Sequence, residues 1–239
     1  MTSPFPYSQF NPRPHGGTGK PGAFTLMELL VVIVIIAVLV LLSFAGYTRL
    51  THKAHATACS QNLRGIGSAI VLYTTDNNGR LPGPLNVGQS ALYNPKATSP
   101  GPQLVHYIAP YMGTTITSGD PFLVPGFGCP SIMKRIDASN TQPPIVYRMG
   151  HDDLMDVNGK KGFPWIWNNP AGTSGRPWRL DQIDQQSAGK VYAMIEQDQT
   201  MGGSWTNNGA TEPAHGEERM ALYFDWTVRL VPTSEWKSP

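Results

Sequence analysis

One carboxylate stands alone at the head of a long apolar stretch: in GAFTLMELLVVIVIIAVLVLL, residues 22–42, Glu28 lies four residues after Phe24. An acid in lipid costs about 2.5–3.5 kcal/mol at a helix centre and less toward the end, so Glu28 asks for a cationic partner. Thr25, Leu29 and Val32, its neighbours at helical spacing, offer none, and Lys20 lies beyond Pro21 and Gly22. A free amino group would serve, and cleavage just before Phe24 creates one. Elsewhere Asp152, Asp153 and Asp156 crowd three carboxylates into five positions beside His151 and the turn pair Asn158-Gly159. Such oxygens suit a hard cation, but the EF-hand template wants an acid at Leu154 and Glu at Trp165 and fails. A solvated Asn-Gly turn is the favoured reading there. His215-Gly216-Glu217 has no second His at zinc-protease spacing, and nucleophile-elbow, Walker and Rossmann signatures are absent. No residue is assigned as catalytic or cofactor-binding, no cofactor is implied, and no enzyme activity is expected.

These residues need elements to hold them. Residues 29–47 are nineteen in a row without a charge, and a helix crossing a hydrocarbon layer of roughly 30 Å needs about 20. The run therefore predicts a transmembrane helix. It is too long for the apolar region of a secretory signal, and Thr48-Arg49-Leu50 is a poor cleavage site. Past it, Cys59, Leu63, Ile66, Ile70 and Tyr73 recur at steps of four and three, with Gln61, Asn62, Arg64 and Ser68 between them, as in an amphipathic helix. No proline falls between Phe24 and Thr75, so one helix of about 50 residues is expected, weakened at Gly65 and Gly67 by about 1 kcal/mol each. The segment Asp76-Asn77-Asn78-Gly79-Arg80-Leu81-Pro82 ends it. Residues 103–112 read as a short helix broken at Pro110. Strand patterns follow at 145–149, 190–195, 220–224 and 227–231, the last two flanking Asp225-Trp226 as a terminal hairpin. The expected fold class is α+β: a long N-terminal helix, transmembrane in one half and amphipathic in the other, packed on a small antiparallel β-sheet with long loops. The chain divides into a leader (1–23), the transmembrane half (24–47), the amphipathic half (48–76) and a loop-rich extracytoplasmic domain (77–239).

Ala23-Phe24-Thr25-Leu26-Met27-Glu28-Leu29-Leu30-Val31-Val32 strongly resembles the processing motif of type IV pilins and of the pseudopilins of type II secretion. The resemblance implies a prepilin peptidase/methyltransferase that cuts between Ala23 and Phe24 and methylates the new Phe24 amine. It also implies that Glu28 then pairs with the terminal amine of a neighbouring subunit. Ala23 departs from the usual Gly but keeps a small residue. Arg13 and Lys20 before the apolar run are nearly balanced by Arg49 and Lys53 after it, so the orientation follows from the resemblance alone. It implies a single-pass protein of the bacterial inner membrane, amino terminus cytoplasmic, with the carboxy-terminal domain periplasmic or extracellular after assembly. The expected function is a structural subunit of a type II secretion or type IV pilus-like filament, and the resemblance does not separate the two. Its partners would be the peptidase, other copies or related pilin-like subunits, and the inner membrane. A weaker likeness to pilin-like proteins extends over Cys59 to Gly67, Gly128-Cys129-Pro130-Ser131, and His215-Gly216 with Leu222-Tyr223-Phe224-Asp225. In those proteins Gly usually follows the last Asp; Trp226 stands there instead. Family pseudopilins hold calcium in a loop between strands, which keeps Asp152, Asp153 and Asp156 as a candidate cation loop.

The formal charge of +2 divides unevenly. Residues 1–75 hold five Lys or Arg and one acid, while 76–239 hold thirteen against fifteen, so the exposed domain is mildly acidic and offers no basic patch for nucleic acid. The leader, rich in Pro and Gly, cannot bury a core. Two cysteines permit one disulfide, Cys59 to Cys129, which an extracytoplasmic location allows; they equally permit two buried thiols. Trp165, Trp167, Trp178 and Trp205 lie in Gly-, Asn- and Pro-rich loops, where such rings either cover a small core or present a face to a sugar or a partner. A reading of a different class is therefore a membrane-anchored envelope protein whose exposed domain binds carbohydrate or another surface ligand, the helix serving only as its anchor.

Overall fold

The proline-free stretch folds as one α-helix, α1 (Leu26–Asp76). The computed structural model describes residues 25–96, 103–116, 119–136, 143–150, 154–165, 176–202 and 208–235, without the side chains of 43–49 and of His52. The chain separates into two units, Met1–Tyr47 and Thr48–Pro239. In the first, the apolar side chains between Leu26 and Leu42 are exposed all round the helix. Among the described residues no helix is long and apolar enough to cross a membrane. The span expected over 29–47 runs into 43–49, whose side chains lie outside the described residues.

In the second unit, Cys59, Leu63, Ile66 and Ile70 of α1 are fully buried, while Gln61, Arg64 and Ser68 face solvent. The helix ends where Asn78 (φ 55°) and Gly79 (φ 76°) turn left-handed. That turn brings the Gly79 amide 2.7 Å from the Thr74 carbonyl, and the Asn77 side-chain amide donates to the Tyr73 carbonyl at 2.8 Å. Carbonyls the last turn leaves open are thus satisfied locally.

The sheet is antiparallel, with order β1-β4-β5-β6-β7. Its strands are β1 (Gly88–Ser90), β4 (Ile145–Met149), β5 (Tyr192–Glu196), β6 (Glu218–Tyr223) and β7 (Val228–Pro232). Two short strands, β2 (Leu92–Tyr93) and β3 (Phe122–Leu123), pair separately. The architecture is α+β. Side chains alternate across a strand, and β4, β5 and β6 are buried on both faces while β7 stays largely open. Tyr147, Met149, Met194, Met220 and Leu222 enter the larger core with α1, whereas Ile195 and Ala221 join Met201 in a smaller one, flanked by Tyr192 and Tyr223. Helix and sheet lie close at Gly67, where an added Cβ would be 3.3 Å from Leu222 Cδ1 and 3.5 Å from the Trp226 ring.

Several local features differ from the sequence patterns, each for a physical reason. Helix α2 (Leu104–Ile108) passes straight into a 3-10 turn, Ala109–Met112, in whose first positions Pro110 sits. Proline lacks only a donor that the first turn does not use, so it begins the new turn. β1, β2, β3 and the one-turn helices α3 (Pro130–Met133) and α4 (Gln185–Ala188) are too short to carry a period. β1 is held by side-chain amides: the Ser90 N–H donates to Gln103 Oε1 at 2.6 Å, and the Leu104 N–H donates to Gln89 Oε1. At the terminal hairpin Trp226 takes φ 63°, the left-handed region that favours glycine, while its ring packs against the larger core. Trp165 is fully buried and stacks on Phe224 with ring centroids 5.5 Å apart; Trp178 packs partly buried against the same core. Trp167 and Trp205 lie outside the described residues.

Candidate functional site

The amino-terminal motif is built from Thr25 and Glu28. The Thr25 amide and hydroxyl both donate to Glu28 Oε2 at 2.9 Å, and the Glu28 amide donates to Thr25 Oγ1 at 3.2 Å. This reciprocal pair is a capping box: a hydroxyl at the helix cap and an acid three residues on satisfy each other's free amides. Glu28 thus sits in the first turn of α1, exposed, with its charge turned toward the helix start. Ala23 and Phe24 lie outside the described residues.

A second constellation lies inside the larger core. Cys59 on α1 and Cys129, at the cap of α3, are joined by a disulfide and are both fully buried. Asn62, one turn beyond Cys59, donates to the Gly128 carbonyl at 2.8 Å and so clamps the Cys129 segment to the helix. Beside the sulfurs, His215 Nε2 is 3.8 Å from Cys129 Sγ and 3.2 Å from Glu196 Oε1. The imidazole and the carboxylate are 8% and 2% exposed, and the other carboxylate oxygen, Oε2, accepts from the Met220 amide at 2.9 Å. One ligand-type atom from each of Cys59, Cys129, Glu196 and His215 lies within 4.8 Å of every other. Tyr147 is paired with Glu196 across β4 and β5, so its side chain enters the same face. Its hydroxyl is buried and forms no well-shaped hydrogen bond among the described residues. Burial, then the Glu196 charge, push the phenol well above its usual range, and the nearby Cys129 amide offsets this only in part.

His215 has no second His at zinc-protease spacing; its neighbours, Cys129 and Glu196, come from distant segments instead. Glu196 carried one readable signal, a carboxylate closing the apolar strand YAMIE, where a pattern of burial admits a charge only if it has a partner.

The candidate cation loop is only partly described: Asp152 and Asp153 lie outside the described residues. Asp156 Oδ1 accepts from the amides of Lys160 at 2.8 Å and Asn158 at 2.9 Å, and Gly159 turns left-handed at φ 74°. Hydrogen bonding, chiefly from the Lys160 amide, holds this carboxyl below its ordinary range. The Asp156 carboxylate therefore organises its own turn.

On the other face of the sheet, Arg219 Nε donates to Asp198 Oδ2 at 2.6 Å and its Nη2 to Oδ1 at 3.1 Å, each side chain only 3% exposed. Nη2 also donates to Thr200 Oγ1 at 2.7 Å, and the Thr200 hydroxyl and amide turn back onto Asp198 Oδ1.

A capped N-terminal helix that starts beside a lone acid, followed by an antiparallel sheet, describes a class of helix-led α+β protein. Residues 20–44 match the family model of the prokaryotic N-terminal methylation motif. That motif is the hallmark of type IV pilin-like and pseudopilin proteins. It implies processing by a prepilin peptidase and assembly with other pilin-like subunits. No curated protein and no solved structure matches the chain.

Proposed function

We propose that the chain is a prepilin-processed structural subunit, a pilin or pseudopilin of a type II secretion or type IV pilus-like filament. The observation that carries this reading is the methylation motif over residues 20–44, with Glu28 in the first turn of the helix that follows. In this reading the peptidase cuts between Ala23 and Phe24 on the cytoplasmic side and the Phe24 amine is methylated. The apolar helix of 24–47 anchors the chain in the inner membrane, with the remaining domain outside. The all-round apolar exposure between Leu26 and Leu42 supports an environment of lipid or of neighbouring helices. Among the described residues Glu28 meanwhile accepts from Thr25. On assembly the amine of a neighbouring subunit gives it a charge-assisted bond, which is stronger than a neutral one and more so away from water. The role is structural rather than catalytic.

Mass spectrometry of the mature chain is the direct test. A terminus at N-methylated Phe24 is expected; an intact Met1 leader overturns the proposal and favours an anchored envelope protein that binds a surface ligand. Glu28→Ala should still be cleaved, yet its incorporation into filaments should fall at least about tenfold, equivalent to a contact of about 1.4 kcal/mol. Normal incorporation of that variant sinks the assembly role of Glu28.

A further inference from the structure

The disulfide does not account for its surroundings. Two sulfurs joined to each other are neutral and apolar, and a buried carboxylate gains nothing from them. Nevertheless Glu196 and His215 are brought against them from two separate segments, with the buried Tyr147 hydroxyl left without a well-formed bond among the described residues on the same side. The same four residues make chemical sense when the sulfurs are thiolates. We propose that, in the dithiol state, Cys59, Cys129, His215 and Glu196 form a zinc-binding site, so that this pocket is closed either by a disulfide or by one Zn(II).

The donor set is one that zinc takes readily: two thiolates, an imidazole nitrogen and a carboxylate oxygen, four ligands for a tetrahedral ion. Zinc bonds of about 2.3 Å to sulfur and about 2.0–2.2 Å to nitrogen and oxygen place tetrahedral ligand atoms roughly 3.3–3.8 Å apart. His215 Nε2 already stands 3.8 Å from Cys129 Sγ and 3.2 Å from Glu196 Oε1, and all four donors lie within 4.8 Å of one another. Once the sulfur–sulfur bond is absent, the two sulfurs part to about 3.8 Å, the spacing of two zinc–sulfur bonds. The Met220 amide on Glu196 Oε2 leaves Oε1 as the ligand atom and fixes its direction, as partners behind a metal ligand do. Access is provided at His215, which lines an open surface hollow with Glu217, Glu218, Pro232, Thr233 and Ser234. Its two carboxylates favour a cation. Binding exchanges the two thiol protons for one Zn(II), and the bound charge of +2 is met by two thiolates and one carboxylate. Closing the disulfide instead delivers two electrons and two protons to a disulfide-bearing oxidant, after which the sulfurs no longer have the charge to hold the ion. The proposal stands independently of the filament assignment, since it concerns the Thr48–Pro239 unit alone.

The test uses the full chain in detergent, prepared in a dithiol reductant or fully oxidised, and then dialysed against Zn(II). Reduced protein should retain one zinc per chain, with both thiols shielded from alkylation, and oxidised protein none. Co(II) in place of zinc should give thiolate charge-transfer absorption in the near ultraviolet and tetrahedral ligand-field bands in the visible. His215→Ala and Glu196→Gln should each weaken binding at least about tenfold. His215→Cys, which keeps a ligand, should restore affinity and strengthen the charge-transfer band, and this distinguishes ligation from a merely structural role should the alanine variant unfold. Equal zinc retention by oxidised and reduced chains overturns the proposal. So does unchanged retention by a Cys59→Ser/Cys129→Ser chain, or a His215→Cys variant whose cobalt spectrum is that of the parent.

Discussion

Two buried acid–base pairs lie on opposite faces of one sheet, and they are finished to different degrees. On the face toward Ile195 and Ala221, Asp198 meets Arg219 through two parallel bonds, and Thr200 takes up what remains. On the face toward α1, Glu196 meets one imidazole nitrogen and the Met220 amide, beside two sulfurs and a phenol with no well-formed bond among the described residues. A bidentate guanidinium–carboxylate pair is a closed structure with fixed geometry. An imidazole–carboxylate pair with soft atoms at its side keeps capacity for a further ligand. Burial alone therefore does not distinguish the two pairs; the geometry of the partner and the atoms beside it do.

The largest effect should come from breaking the closed pair. Asp198→Ala strands the Arg219 charge at 3% exposure, and removing one partner of a buried pair costs about 3–5 kcal/mol. Denaturant unfolding of the full chain in detergent reads this directly. The double variant Asp198→Leu/Arg219→Met should recover most of that loss, because an apolar pair of similar volume avoids burying either charge. A single-variant cost below about 1 kcal/mol would mean that Arg219 reaches water, and the contrast between the faces would collapse.

Glu196→Gln should cost less in the disulfide-bonded protein. The amide oxygen still accepts from the Met220 N–H, and only the charged contact with His215 is exchanged for a neutral one. Losing one such interaction costs about 1–3 kcal/mol. Here a cost equal to that of Asp198→Ala would show Glu196 to be as structurally committed as Asp198, leaving no spare capacity on the α1 face.

Legibility in the sequence divides along the same lines. The amino-terminal motif is local, six residues from Ala23 to Glu28, so side-chain type and order suffice to read it. β4, β5, β6 and β7 lie within two residues of the expected strands, because runs of β-branched and apolar residues mark them. β1 carries no such signal, because Gln89 and Gln103 hold it through side-chain amides rather than through an apolar alternation. The Glu196–His215 contact spans nineteen residues and Cys129–His215 eighty-six; no spacing rule reaches that far, and only the folded sheet brings them together. Trp226 is the reverse case. The strand patterns on either side of Asp225-Trp226 place a hairpin there although that dipeptide is not a favoured turn pair, and Trp226 closes the turn at φ 63°, the left-handed region that favours glycine.

The smallest effects separate the two sides of α1 and sharpen how the face carrying Glu196 is covered. An added Cβ at Gly65 meets nothing within 4 Å, whereas at Gly67 it would lie 3.3 Å from Leu222 Cδ1. Gly65→Ala should therefore stabilise by about 0.5–1 kcal/mol through helix propensity and a less flexible unfolded chain. At Gly67 the same propensity gain works against a tight contact with β6, so Gly67→Ala should be close to neutral. Gly67→Leu, which must displace Leu222 and Trp226, should destabilise by about 1–3 kcal/mol. Thermal unfolding of the three variants orders them Gly65→Ala above parent, Gly67→Ala near it and Gly67→Leu below. If Gly67→Leu unfolds at or above the parent temperature, α1 does not press on Leu222, and the closure of the Cys59–Cys129–His215–Glu196 pocket by the helix must be looser than its distances imply.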